Sequence, residues 1–202
     1  MKKSVIMLAT LAVGLIFTNT FGWAQYASDD PCRVGKYSFS VGVGMRNFSE
    51  NLYKTVYGDS GMSYNLDLGV KVGKSLEAFL HTDYFKKDGE LTFTKEKTTL
   101  KIIPIELGAR YLIGISKQCK PKLFPYLGAG AGYYMVKEEN PIGSFDKKSF
   151  GFFVEGGLRF YPAGSFFIDA KIKDVFLKIK NDLGRNINTG GFTYMGAIGI
   201  SF

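Results

Sequence analysis

Nine ionisable residues stand at every second position within stretches that are otherwise apolar or rich in glycine. They are Asp67, Lys71, Glu77, Glu106, Arg110, Glu155, Arg159, Asp169 and Lys171. Ionised groups that are removed from water must find partners of opposite charge. The set therefore predicts a network of ion pairs, or alternatively a charged constriction on a solute pathway. With both signs present, we favour the network.

His81 is the only histidine, so it is the first candidate for a general base. A serine–histidine pair of the His-x-Ser kind would need a serine two residues later, but Thr82 and Asp83 follow. A hydrogen-bonded interior histidine is the favoured interpretation. One histidine and two cysteines without ligand spacing do not indicate a metal site. We predict no catalytic, cofactor-binding or metal site.

The amino-terminal residues 1–24 have the pattern of a cleaved secretory signal. Lys2 and Lys3 precede an apolar run, 5–17, that is too short for a membrane-spanning helix, which needs about 20 residues. A polar lead-in, 25–36, follows. Exported proteins meet an oxidising compartment, so Cys32 and Cys119 are predicted to form a disulfide, with two unrelated thiols as an equally open alternative.

Eight stretches with alternating apolar and polar residues must position these side chains. They cover roughly 37–47, 63–72, 76–84, 100–113, 123–136, 149–161, 166–173 and 191–202. Period two is the signature of strands with two different faces. Short connections alternate with long polar ones, which are expected at 48–62, 86–99, 137–148 and 181–190. Pro104 is expected to distort its strand, because proline cannot donate to the ladder.

One face of these strands is apolar with aromatic ends, and the other carries the charges and many glycines. A soluble barrel of the lipocalin kind would turn the apolar face inward around a ligand. Solvated strands rarely use so much glycine, whereas an eight-stranded barrel leaves room inside only for packed side chains. Aromatic rings at both ends of an uncharged band fit a membrane barrel better. We therefore expect the apolar face to point outward and the glycines on 123–136 to accommodate large inward side chains.

The segments IPIELGARYLIG and KLFPYLGAGAGYYM, with the terminal Phe202, resemble the outer-membrane β-barrel domain family, the porin-family proteins of OmpX and OmpW type. The resemblance implies an all-β fold, an eight-stranded antiparallel up-and-down transmembrane β-barrel over 37–202. It also implies the outer membrane of a Gram-negative bacterium. In such barrels the last strand carries the signal for the barrel-assembly machinery, here at Tyr194, Ile198, Ile200 and Phe202.

The function expected from this resemblance is a structural or interaction role in the cell envelope. The alternatives are a small-solute channel, a lipid-modifying enzyme and a soluble binding barrel. Without Lys2 and Lys3 of the signal segment, the 26 basic residues fall to 24 against 18 acidic ones, and this excess of +6 is too modest to indicate nucleic acid. Outer-membrane lipids and lipopolysaccharide are the expected partners. Lysines of the long connections could contact lipopolysaccharide phosphates, but nearby acids nearly balance them, so a solvated surface is favoured and the partner of the loops stays open.

Overall fold

The chain forms a closed wall of eight antiparallel β-strands. A computed structural model describes residues 35–73, 75–91, 95–113, 122–141, 143–180 and 186–202. Each wall strand pairs with its neighbour in sequence, and the first pairs with the last, as predicted. The elements are β1 (Tyr37–Phe48), α1 (Asn51–Tyr57), β2 (Ser60–Lys71), β3 (Leu76–Glu90), β4 (Lys97–Leu112), β5 (Lys122–Asn140), β6 (Gly143–Ala163), β7 (Phe166–Lys180), β8 (Asn186–Asn188) and β9 (Gly191–Ser201). The short β8 lies outside the wall, on β7.

The strands are strongly staggered around the wall. Ladder partners followed once around the barrel from Ser38 return to β1 at Phe48, ten residues further along the strand. The path runs through Gly69, Phe79, Gly108, Gly130, Phe153, Val175 and Gly191. Closed eight-stranded barrels have strands tilted by about 35–45° and an interior that side chains can fill. Inward side chains from opposite strands therefore meet across the axis.

The outer face of the wall carries a continuous apolar band. On β7 it runs from Phe166 to Phe176 with Asp174 as its charged member, and on β6 it includes Phe150 and Phe152, which are 76% and 69% exposed. A tilted run of this length matches the roughly 25 Å band of a membrane barrel. At the level of the band, most charged residues and most strand glycines point inward. The predicted assignment of the two faces is confirmed. The described residues include no helix that is long and apolar enough to cross a membrane.

Beyond the band, at the end opposite the short turns, the strands continue and their pattern reverses. The β3–β4 ladder extends to Glu90 and Lys97, and the β5–β6 ladder extends to Asn140 and Gly143. In these extensions the apolar side chains point inward, because water now surrounds the wall. The prediction that 86–99 and 137–148 are connections between strands was therefore wrong in extent, since most of both segments is paired strand. Part of the expected connection 48–62 is α1.

Pro104 interrupts one ladder, as predicted. The β3–β4 pairing joins Thr82 to Ile105 and Phe85 to Ile102 but omits the two positions between them. The register does not shift. The Thr82 hydroxyl donates a hydrogen bond to the Pro104 carbonyl oxygen at 2.7 Å. The distortion is therefore local.

Several predictions lie outside the described residues. The signal segment 1–24 and nearly all of the lead-in 25–36 precede residue 35, and Cys32 and Cys119 are both outside as well. The disulfide stays a prediction. Intact mass with and without reductant tests it, and two free thiols in protein from native membranes would contradict it.

Candidate functional site

A network of ion pairs fills the barrel interior at the level of the apolar band. Arg110 on β4 is 1% exposed, and its Nη2 donates to both carboxylate oxygens of Asp67 at 2.9 and 2.8 Å. Its Nε lies 3.3 Å from Glu155 and 3.6 Å from Glu77. The guanidinium carbon also lies 3.9 Å from the centre of the Phe79 ring. Arg110 therefore links strands on opposite sides of the barrel.

Arg159 on β6 makes a second centre nearer the short turns. Its Nη1 donates to both oxygens of Glu77 at 3.2 and 3.0 Å, and its Nε donates to Asp169 at 2.9 Å. Asp169 also accepts a hydrogen bond from the Tyr126 hydroxyl at 2.7 Å. Since Glu77 also approaches the Arg110 centre, the two form one network.

His81 lies within the network and is fully engaged there. Its Nδ1 is 3.2 Å from Asp67, and its Nε2 is 2.9 Å from Asp83. The Lys171 ammonium donates to the same Asp67 carboxylate at 3.0 Å. With both ring nitrogens against carboxylates, His81 is the hydrogen-bonded interior histidine that the sequence favours.

Lys173 binds a pair of carboxylates beside His81. Its Nζ donates to Asp83 and to Glu106, each at 2.7 Å, and Glu106 also accepts from the Tyr134 hydroxyl at 2.7 Å. Donor atoms of His81, Asp83 and Glu106 lie within 4.8 Å of one another, which is close enough to hold a cation. The Lys173 ammonium lies against both carboxylates and offsets part of their negative charge.

Two inward phenylalanines pack across the axis beside these charges. The rings of Phe79 and Phe153 are 5.9 Å apart in an edge-to-face arrangement. A Cβ atom at Gly108 would lie 2.7 Å from the Phe79 ring, and one at Gly130 would lie 2.6 Å from the Phe153 ring. Only glycine leaves this space. The predicted role of the glycines on the fifth strand is confirmed.

A second, apolar layer closes the interior above the ion pairs. Its side chains come from five strands and are almost completely buried. They are Phe48, Phe85, Leu100, Ile102, Val136, Val175, Leu177 and Ile179. This layer lies in the strand extensions beyond the membrane band, where burial of apolar area stabilises a core as in a water-soluble protein.

The helix α1 covers this apolar layer. The ring of Tyr53 stacks on Phe48 with centroids 5.5 Å apart, and Tyr57 lies in the same cluster. The Tyr57 hydroxyl hydrogen-bonds Thr98 on β4 at 3.0 Å. Burial raises the pKa of Tyr57 well above its ordinary value. The helix is therefore anchored to the mouth of the barrel rather than free in solution.

Eight of the nine ionisable residues singled out in the sequence are buried together. They are Asp67, Glu77, Glu106, Arg110, Glu155, Arg159, Asp169 and Lys171. Lys71 is only half-buried, at the end of β2 nearest its turn, because the strand reaches the rim there.

The sequence reasoning did not select three charged members of the interior. Asp83 and Lys173 belong to the network, and Arg46, 3% exposed, donates to the Thr189 carbonyl oxygen at 3.1 Å. All three share the inward phase of their strands. The predicted stretches 37–47, 76–84 and 166–173 already contain them on the polar face, so the same alternation indicates their inward position although they were not included among the nine.

One sector of the wall is lined by small or unpartnered polar side chains. Ser63 and Asn65 on β2 are buried, and their side-chain atoms have no hydrogen-bond partner among the described residues. Their ladder partners on β1 are Gly44 and Gly42. This sector is packed with less side-chain volume than the opposite wall.

Comparison with known proteins places the fold in a defined group. A family model described as "Outer membrane protein beta-barrel domain" matches residues 11–195. Neisserial surface protein A is 15% identical with a TM-score of 0.65, over 83% of this chain and 97% of that one. OprG from Pseudomonas aeruginosa is 14% identical with a TM-score of 0.66, over 84% and 97%. Ail of Yersinia pestis, solved with the heparin analogue sucrose octasulfate, is 20% identical with a TM-score of 0.54, over 84% and 100%.

These similarities are too low in identity to transfer more than the fold. No curated protein sequence matches the chain. The family match, however, extends over most of the sequence, and the fold has the outward apolar band that the family requires. The chain therefore belongs to the outer-membrane protein β-barrel domain family and is a protein of the Gram-negative outer membrane.

Proposed function

We propose that this protein is a closed, non-enzymatic barrel whose function is structural or adhesive, through the surface that it holds above the outer membrane. The observation that carries the proposal is the double closure of the interior. Arg110 and Arg159 fill the axis at membrane level, and Phe85, Leu100 and Leu177 fill it above. A barrel closed in this way serves as a rigid anchor for the strand extensions and α1.

Conductance measurements test the closed lumen. Protein refolded in detergent, with folding verified by different gel mobility of boiled and unboiled samples, is added to a planar bilayer. A porin refolded by the same procedure serves as the positive control. We expect no stable conductance steps. Reproducible channels of one size would contradict the proposal.

A small-solute channel is the second candidate, and one observation favours it. Ser63 and Asn65 are buried polar groups that have no side-chain hydrogen bond to any described residue, and buried polar groups of this kind are commonly satisfied by water. A narrow hydrated path along β1 and β2 would use them. If channels are seen, replacement of Asn65 by leucine should reduce their conductance, and Leu107→Ala on the lipid face should not.

Both nitrogens of His81 face carboxylates, which supports the absence of catalysis. An outer-membrane lipid-modifying enzyme would need a histidine available to a nucleophile. Mass spectrometry of lipid A incubated with the folded protein tests this, and we expect unchanged lipid A. A deacylated product that disappears in His81→Gln would overturn the non-enzymatic assignment.

The last strand supports the proposed contact with the barrel-assembly machinery. Tyr194, Ile198, Ile200 and Phe202 all point outward and are 43–54% exposed. We expect Phe202→Ala to lower the amount of barrel assembled in cells without affecting refolding in detergent. Tyr37→Ala is the matched control, because its ring lies 6.0 Å from that of Phe202 but on the first strand. Equal loss for both variants would contradict a signal specific to the last strand.

A further inference from the structure

Two methionines oppose each other at the upper edge of the apolar band and are here named the methionine pair. Met45 on β1 and Met62 on β2 are ladder partners, and both point outward. The next outward positions above them are the polar Asn47 and Ser60, which are also ladder partners. Two residues of strand span about 7 Å. The methionine pair therefore lies at the upper end of the lipid-facing surface, one outward position below the rim.

The methionine pair is more exposed than the other methionines in the described part of the chain. Met45 and Met62 are 52% and 57% exposed. Met195 on β9 points inward and is 5% exposed. Met135 on β5 points outward but is half-buried. Sulfur on the outer face of the barrel is thus most accessible at the methionine pair.

The side chains around Met135 explain why an outward methionine elsewhere is less accessible. The ladder partner of Met135 on β6 is Lys148, and the next outward residue above it is Lys137. Long lysine side chains cover neighbouring apolar surface with their methylene groups. Asn47 and Ser60 above the methionine pair are too short to do the same. The two thioethers are therefore left open toward the rim.

The chemistry of an accessible thioether at this position is oxidation. Methionine sulfur is polarisable, and peroxides convert it to a sulfoxide. A sulfur lone pair attacks one peroxide oxygen, so that a sulfur–oxygen bond forms and the oxygen–oxygen bond breaks. The departing hydroxide takes the proton of the transferred oxygen and leaves as water. Sulfur loses two electrons, and the peroxide gains them.

We propose that the methionine pair is an oxidation site, at which peroxides at the outer surface convert both thioethers to sulfoxides and thereby weaken the barrel. A sulfoxide is polar, whereas the thioether that it replaces is apolar. Oxidation therefore removes one opposed pair from the apolar band on β1 and β2. Polar groups that face hydrocarbon without a hydrogen-bond partner are unfavourable. The stability of the barrel in a membrane thus depends on the oxidation state of Met45 and Met62.

Oxidation rates of the individual methionines test the location of the site. The protein is refolded into phosphatidylcholine vesicles and treated with hydrogen peroxide, the reaction is stopped with free methionine, and peptides are analysed by mass spectrometry. We expect Met45 and Met62 to react about tenfold faster than Met195, because exposed fractions of 52% and 57% compare with 5%. Met135 should react at an intermediate rate. In protein unfolded in urea, all four should react at one rate.

Unfolding of the oxidised protein tests the consequence. We expect the urea midpoint, read from gel mobility, to be lower after peroxide treatment than before it. The double variant Met45→Leu/Met62→Leu keeps apolar side chains at both positions and should keep its midpoint after the same treatment. Met195→Leu is the matched control, because it removes a methionine from the interior and should leave the peroxide-induced loss unchanged.

Three results would overturn the proposal. One is oxidation of Met195 as fast as that of Met45. The second is an unchanged midpoint when both members of the methionine pair are sulfoxides, and the third is an equal loss in the double leucine variant. If the double variant does not fold, the rates and the midpoint of the unmodified protein still decide. Both sulfurs lie on the outer face, so the result is independent of whether the lumen conducts.

Discussion

Replacement of Arg110 by methionine tests whether the ion-pair network holds the barrel together. The change keeps an apolar chain in the space but leaves Glu155 without its cation, since the Arg110 Nε at 3.3 Å is its only ion-pair partner among the described residues. Asp67 keeps Lys171 at 3.0 Å. Removing one partner of a buried ion pair costs about 3–5 kcal/mol, and we expect the free energy of unfolding to fall by that amount.

The double variant Arg110→Met/Glu155→Gln separates the cost of leaving the Glu155 carboxylate unpaired from the cost of lost packing around Arg110. Glutamine at 155 removes the unpaired carboxylate, so the double variant should recover about 1–3 kcal/mol relative to Arg110→Met alone. Equilibrium urea unfolding in detergent micelles, followed by gel mobility, measures both. The reasoning is refuted if Arg110→Met lies within about 1 kcal/mol of the unmodified protein, or if the double variant is no more stable than Arg110→Met.

Three further predictions concern the outer face of β7, the apolar layer and the strand extensions. Asp174 points outward between Ile172 and Phe176 and has no counter-ion in the described part of the chain. Asp174→Asn should therefore raise the free energy of unfolding by up to about 1 kcal/mol. Asp169→Asn, which removes a carboxylate that pairs with Arg159, should lower it. Phe85→Ala should lower the free energy of unfolding by about 3–5 kcal/mol, because it opens a cavity in the apolar layer. Phe176→Ala on the lipid-facing side should cost less, because lipid can fill the space. Equal losses in urea unfolding would contradict the assignment of Phe85 to a packed interior layer. The pKa of Glu139 is lowered from 4.5 to about 2 by its hydrogen bonds from Lys137 and Lys101. Its ion pairs therefore stabilise the fold above pH 4.5, and this stabilisation is lost as the pH falls through 2. Carbon NMR titration should show the lowered midpoint, and the midpoint should return toward 4.5 when Lys101 and Lys137 are both replaced by glutamine.

The membrane part of the fold could be predicted from the sequence because its environment is uniform. Between Phe166 and Ile172, for example, every second side chain meets lipid and the others meet the barrel interior. The same alternation located eight of the interior charges. It could not assign their partners, because the stagger of ten residues brings together side chains that are distant along the chain, such as Lys171 and Asp67.

The extensions above the membrane were missed for a physical reason. On β4 the outward positions change from Ile105 and Ile103 to Lys101, and the inward positions change from Glu106 to Ile102 and Leu100. The strand itself is unbroken. Because the surrounding solvent changes from hydrocarbon to water, the hydrophobic face changes sides, and a search for one continuous apolar face ends at this border. On β7 the inward positions change from Lys173 to Val175, and the outward positions change from Phe176 to Lys178.

The pairing of β1 with β9 differs from the other contacts of the wall, because the remaining pairs of wall strands are hairpins between neighbours in sequence. Local hairpins form readily, but the strands at the two ends of the row keep unsatisfied backbone donors and acceptors until they meet. The Tyr37 amide donates a hydrogen bond to the Phe202 carbonyl oxygen at 2.8 Å, and the Phe202 amide donates one to the Tyr37 carbonyl oxygen at 2.9 Å. Before β1 and β9 pair, the protein is thus an open sheet with two unpaired edge strands that can bind other chains. Its escape from aggregation depends on how quickly the first and last segments join.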